Sequence, residues 1–149
     1  MLHPTSSDAG NSVRVLLVDE NQDFLQIAIT LLRRQPAFAV VGGLGEGEEA
    51  LTQIHRLQPE VVLVGLDTRS QQGLKTISRL RTLAPEMTII ALSMVSGEAC
   101  RRAALASGAD EFVPKRSLTS DLLPAIQRAM RRSQGAWEPG VRRPVMREG

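Results

Sequence analysis

The chain has one cysteine, Cys100, and no tyrosine, and its aromatic residues make up 3% of its 149 residues. A single cysteine excludes an internal disulfide, and the absence of closely spaced Cys and His residues argues against a zinc site. Apolar runs are too short to cross a bilayer, and residues 1–11 lack the basic start and apolar centre of a signal peptide. The sequence therefore predicts a cytoplasmic protein with no membrane contact.

Hydrophobic residues account for 42% of the chain, charged residues for 23%, and the formal net charge is +2. This length and composition predict one domain that buries about 70% of its unfolded surface. Because aromatics are scarce, Leu, Ile, Val and Ala must form the core. Such a core suits a parallel sheet covered by helices.

Short apolar runs alternate with segments of helical periodicity along the chain. The runs predict strands at 13–18, 37–41, 61–66, 88–92 and 111–113. A helix is predicted after each strand, since apolar residues there recur at helical spacing. The alternation predicts right-handed crossovers and an α/β fold: a doubly wound, five-stranded parallel sheet of flavodoxin-like (βα)5 order.

Further predictions concern the bounds of the domain, the glycine-rich run and the last helix. Residues 1–12 are expected to be a disordered leader, 13–132 the folded domain, and 133–149 a linker or tail. The glycine-rich run 42–47 is expected to be a turn. Pro124 is expected within or just past the first turn of the last helix, with Thr119 or Ser120 as the N-cap.

Ligands in open α/β sheets bind beyond the carboxyl ends of the strands. That rule places a polar set around one crevice, because each residue lies at or just past the end of a predicted strand. The set is Asp19, Glu20, Gly65, Asp67, Ser93 and Lys115.

Four segments resemble one known family over residues 13 to about 132. They are VLLVDE at 15–20, VVLVGL at 61–66, IIALS at 89–93 and GADEFVPK at 108–115. The family is the CheY-like receiver domain of two-component response regulators, and EGEEAL at 46–51 is similar to its second loop and helix start. The tail resembles the linker that joins receivers to LuxR- or NarL-type helix-turn-helix domains.

The resemblance assigns roles to the crevice. Asp19 and Glu20 correspond to carboxylates that hold Mg²⁺, Ser93 to a hydroxyl that contacts the phosphate, and Lys115 to the lysine that neutralises it. Phe112 corresponds to an aromatic residue whose rotation accompanies activation. Gly65 stands where the family has its phosphate-accepting aspartate, and glycine cannot accept phosphate.

Losing a carboxylate at Gly65 also removes a metal ligand. No cofactor is therefore expected, and any Mg²⁺ site at Asp19, Glu20 and Asp67 is expected to be weak. The hypothesis is that Lys115 pairs with Asp19 or Glu20 and holds the crevice in one state. In simpler interpretations the two acids cap the next helix, Lys115 is solvated, and the hydroxyl at the end of the fourth strand satisfies loop backbone.

The leading functional hypothesis is an atypical receiver, not an enzyme, that acts by protein contact without phosphorylation. A sensor kinase is one expected partner, and a homodimer is another, through the fourth helix, fifth strand and fifth helix. That face includes Arg101, Arg102, Phe112, Arg128 and Arg131. DNA contact would need an output domain that this sequence does not contain.

Two alternatives remain. One is a Mg²⁺-dependent receiver that uses Asp67 as a displaced acceptor, since strand parity aims residues 65 and 67 to the same side. Residues 68–70 also lack the proline-containing turn that the family commonly has there. The other alternative is an unrelated nucleotide- or flavin-binding α/β protein, which fold alone would support.

Overall fold

The computed structural model describes residues 12–66, 71–95 and 97–134. The predicted leader up to residue 11, Asp67, the 68–70 segment and the tail from residue 135 lie outside the described residues. The part of the last helix that is described extends to Gln134, two residues past the predicted end of the domain.

Strands and helices alternate through the described residues. The strands are β1 Val13–Val18, β2 Phe38–Leu44, β3 Val61–Leu66, β4 Thr88–Ser93 and β5 Glu111–Pro114. The helices are α1 Gln22–Arg33, α2 Gly47–Leu57, α3 Gln72–Leu83, α4 Glu98–Ser107 and α5 Leu118–Gln134, and a 3₁₀ turn, Lys115–Ser117, joins β5 to α5. None of the helices described is long and apolar enough to span a bilayer.

The five strands form one parallel sheet in the order β2-β1-β3-β4-β5. This order confirms the predicted doubly wound fold. Strand β2 lies on one side of β1, and β3, β4 and β5 follow on the other side, as in flavodoxin-like sheets. Alternate residues of each strand enter two apolar clusters, one on each face of the sheet. Helices α1 and α5 cover one face, and α2, α3 and α4 cover the other.

The prediction of a turn over 42–47 is wrong for residues 42–44, which belong to β2, and only Gly45 and Glu46 connect β2 to α2. Gly42 and Gly43 belong to β2, where they pair with Leu16 and Leu17 of β1. A Cβ on Gly43 would lie 2.5 Å from Ile29 Cδ1 of α1. Glycine at this position leaves room for Ile29 of α1 to pack directly on the sheet.

The predicted cap of the last helix is also wrong. Helix α5 begins at Leu118, directly after the 3₁₀ turn, so Pro124 lies inside the helix. A proline there leaves the carbonyl of Ser120 without its helical donor. Ser120 and Pro124 are both exposed, so water can satisfy that carbonyl.

The far end of the sheet is fixed by Arg81 of α3. Its guanidinium donates to the carbonyls of Gly108 at 2.7 Å and Met87 at 2.7 Å and pairs with Asp110 at 2.9 Å. Asp110 in turn accepts the amide of Ile89 at the start of β4. These contacts bind α3 to the loops that precede β4 and β5.

Candidate functional site at the carboxyl edge of the sheet

The sheet register brings the predicted crevice residues to one edge. Val18 lies beside Val64 in the β1–β3 pair, and Leu66 lies beside Ser93 in the β3–β4 pair. Ser93 in turn lies beside Pro114, the residue before Lys115. Asp19, Gly65, Ser93 and Lys115 therefore meet at the carboxyl ends of four adjacent strands.

The centre of this crevice is an ion pair between Asp19 and Lys115. Lys115 Nζ lies 2.6 Å from Asp19 Oδ2, and the two side chains are 6% and 7% exposed. Among the described residues Oδ2 has no aligned hydrogen-bond donor, so the ammonium holds it by charge. The predicted pairing of Lys115 with one acid of the pair is confirmed for Asp19, and the solvated-lysine interpretation is wrong.

The Asp19 carboxylate fills the space beside Gly65. A Cβ built on Gly65 would overlap Asp19 Oδ2 and lie 3.1 Å from Asp19 Cβ. Any side chain at residue 65 would require this buried carboxylate to shift. Gly65 and the position of Asp19 are therefore sterically coupled, which the sequence did not reveal.

The start of α1 joins the ion pair through two further residues. Asn21 is the N-cap of α1, since its side chain accepts the amide of Phe24 at 3.0 Å. The backbone amide of Asn21 donates to Asp19 Oδ1 at 2.8 Å. Lys115 Nζ lies 4.1 Å from the centre of the Phe24 ring. Neither acid of the pair caps the helix, so that interpretation is wrong.

Sequence reasoning missed both of these residues as parts of the site. An apolar residue at helical spacing predicts only a core position, and the Phe24 ring does pack against the core beside its contact with Lys115. The available signal for Asn21 was its residue type, because asparagine just before a helical segment is a favoured N-cap.

The side chain of Glu20 takes no part in the Asp19–Lys115 ion pair. It is exposed and lines a groove of about 550 Å³ between α2 and α3. The groove also carries Glu46 and Glu48 on one side and Lys75 and Arg79 on the other. Arg79 and Glu48 form an exposed ion pair across it at 2.7 Å.

The described residues do not fit the three-carboxylate Mg²⁺ site that the resemblance implies. Asp19 is neutralised by Lys115, residue 65 has no side chain, and Glu20 lies apart in the groove. Within 12–66, 71–95 and 97–134, no group of three His, Cys, Asp or Glu side chains could hold a metal ion. Asp67, the third predicted ligand, lies outside those ranges.

Ser93 is buried at the end of β4, and its hydroxyl accepts the amide of Val95 at 3.0 Å. It also lies 3.6 Å from the thiol of Cys100 in α4. The hydroxyl thus satisfies loop backbone, as the simpler interpretation proposed. It lies at the same sheet edge as Lys115, although the Lys115 ammonium pairs with Asp19.

The predicted contact face is charged and internally paired. Arg128 and Arg132 of α5 pair with Glu111 at 3.0 and 2.7 Å. Burial would raise the pKa of Glu111, but hydrogen bonds and the positive charges of the two arginines outweigh it and hold the pKa below its usual value of 4.5. Phe112 is half-buried against the core, whereas Arg101, Arg102, Arg128 and Arg131 are exposed.

Comparison with known proteins agrees with this architecture. Residues 15–127 match the model of the response regulator receiver domain. The response regulator domain of Thermotoga maritima CheB superposes with a TM-score of 0.67 at 27% identity, over 80% of this chain and 96% of that structure.

Two curated relatives are longer. The chain is 27% identical to the protein-glutamate methylesterase/protein-glutamine glutaminase of Azospirillum brasilense, over 80% of this chain and 31% of that protein. It is 26% identical to response regulator protein VraR of Staphylococcus epidermidis, over 87% of this chain and 62% of that protein. The chain thus spans less than two thirds of either relative.

The family model covers β1 from its third residue, the other four strands and most of α5, and the crevice lies within it. The fold and the sequence match therefore lead to one conclusion: the chain belongs to the response regulator receiver domain family of two-component signalling.

Proposed function

We propose that this chain is a receiver that works by protein contact and does not depend on phosphorylation. The observation that carries the proposal is the position of Asp19. Its carboxylate occupies the space of a side chain at residue 65 and is neutralised by Lys115. The resemblance assigns the phosphate acceptor to residue 65 and the neutralising lysine to Lys115. In this chain the Asp19–Lys115 ion pair fills both positions.

A phosphorylated receiver changes state when its site gains negative charge, which the lysine corresponding to Lys115 neutralises. In this chain Lys115 already has a buried anionic partner, so that change has no free cation to act on at this position. The proposed output is a fixed surface that a protein partner reads. A sensor kinase or a second copy of the chain is the proposed partner, with α4, β5 and α5 as the proposed dimer face.

The contact face supports a role in partner choice. Arg101, Arg102 and Arg131 are exposed there. Charges on such a surface mainly determine encounter rate and specificity. The proposal includes no catalytic activity and no cofactor.

The test is the intact mass of the chain after incubation with a small-molecule phosphodonor and Mg²⁺. A receiver with its acceptor aspartate serves as the positive control, and Asp67→Ala is measured beside the parent. The proposal predicts no phosphoryl adduct on the parent. An adduct that disappears in Asp67→Ala would overturn it and establish a displaced acceptor.

A further inference from the structure

Four residues at the crevice form a closed ring of contacts, two of which are donated by backbone amides. Asp19 Oδ1 accepts the Asn21 amide, and the Asn21 side chain accepts the Phe24 amide. The Phe24 ring faces Lys115 Nζ, and Lys115 Nζ returns to Asp19 Oδ2. Each member is held by two others, so the ion pair and the N-cap of α1 are formed together.

The ring joins parts of the chain that are far apart in sequence. Asp19 follows β1, Asn21 and Phe24 begin α1, and Lys115 follows β5 and opens the 3₁₀ turn before α5. The ring thus fixes the first residues of α1 and the entrance to α5 against the same point of the sheet.

The ion pair of the ring is also protected from solvent and salt, although Asn21 is exposed. Its two charges are more than nine-tenths buried, so mobile ions screen them weakly. The aromatic face supplies a second favourable contact to the ammonium in this dry setting. Exposed pairs such as Arg79–Glu48 lack that protection.

We propose that this ring is a built-in lock that sets the conformation of the crevice in the absence of phosphate and metal, with Phe24 as the residue that positions Lys115. The inference rests on the proposed function, because it names the internal contacts that take over the role of phosphorylation at the same site. Rearrangement of the crevice then requires the ring to open, and the first amides of α1 report that opening.

The experiment is amide hydrogen exchange measured by NMR on the full chain. The backbone amides of Asn21 and Phe24 are ring donors, and the backbone amides of Gln58 and Ala84, which donate to Ile54 and Leu80, serve as remote references. Phe24→Leu keeps an apolar side chain but removes the ring face. It should speed exchange of the two ring amides by about 2- to 30-fold and leave the references unchanged.

Lys115→Met should produce a larger change, about a hundredfold or more at the ring amides, because it leaves Asp19 buried without its partner. The double variant Asp19→Asn/Lys115→Met removes both charges and guards against a variant that simply unfolds. Lys75→Met, at an exposed lysine, is the matched control and should change neither set of amides.

The outcomes separate the lock from the proposed function. Equal exchange rates in parent, Phe24→Leu and Lys115→Met would overturn the lock. Uniform acceleration of ring and reference amides would do the same, since it reports global unfolding. The phosphodonor measurement is independent: a parent without an adduct but with unresponsive ring amides retains the proposed function and loses the lock.

Discussion

Replacing Gly65 by alanine tests the steric coupling between residue 65 and Asp19. The added methyl group would overlap Asp19 Oδ2, so the carboxylate must move away from Lys115. A unit-charge pair at 2.6 Å interacts by about 6 kcal/mol at an effective dielectric of 20, and at 4 Å by about 4 kcal/mol. Displacement of the carboxylate therefore loses about 2 kcal/mol, and complete rupture of a buried pair costs about 3 to 5 kcal/mol.

An opposing effect reduces this loss. Alanine restricts the unfolded chain more than glycine does, which favours folding by about 0.4 to 1 kcal/mol. Gly65→Ala should therefore lower the free energy of unfolding by about 1 to 4 kcal/mol. Urea denaturation followed by circular dichroism measures the change.

The control is Gly97→Ala, whose new Cβ would meet, among the residues that the structure describes, only Val95 Cγ1, at an ordinary contact distance of 3.9 Å. Gly97 is the N-cap of α4, where alanine is somewhat less favourable than glycine, so its effect should stay within about 1 kcal/mol. The coupling is tested directly by repeating Gly65→Ala in the Asp19→Ala/Lys115→Met background, where the loss should vanish. The same loss in both backgrounds would refute the reasoning.

Two further predictions concern other parts of the fold. Arg81→Met should lower the free energy of unfolding by about 2 to 4 kcal/mol, because the partly buried Asp110 loses its counter-ion and the carbonyls of Gly108 and Met87 lose their guanidinium donor. Arg79→Met at the exposed pair should change it by less than about 1 kcal/mol in the same urea titration. The pKa of Glu111 is lower in the folded than in the unfolded protein, so ionised Glu111 stabilises the fold above pH 4.5. This contribution is at most about 1 kcal/mol because the site is partly exposed, and it disappears as the pH falls through the pKa of the folded state. Glu111→Gln should therefore reduce stability at pH 7 and flatten the acid limb of the stability profile; an unchanged profile would contradict the assignment.

The fold could be predicted from the sequence because its pattern is local and repeated. Apolar runs of strand length alternate with helical periodicity, and parallel pairing follows from that alternation. The errors fell where long-range packing overrides a local signal. Gly42 and Gly43 are strand residues because they continue the pairing of β2 with β1, and Pro124 is tolerated inside α5 because its turn faces solvent.

The strand-end residues of the site were predictable from the sequence, but its geometry and the parts played by Asn21 and Phe24 were not. Strand ends alone brought Asp19, Ser93 and Lys115 together. Which acid would bind Lys115 depended on side-chain direction, and Asn21 orients Asp19 inward while Glu20 stays exposed. The contact of Phe24 with Lys115 joins residues 91 positions apart, and no local pattern encodes it.

The most direct test of the account is a calorimetric titration of Mg²⁺ into the parent chain. The crevice is filled by the Asp19–Lys115 ion pair, and residue 65 contributes no side chain to it. The account predicts no saturable heat at micromolar Mg²⁺, and stronger binding in Lys115→Met, where Asp19 is released, than in the parent. Micromolar binding by the parent would contradict it, because a metal held that tightly would need the carboxylate that the account assigns to the lysine.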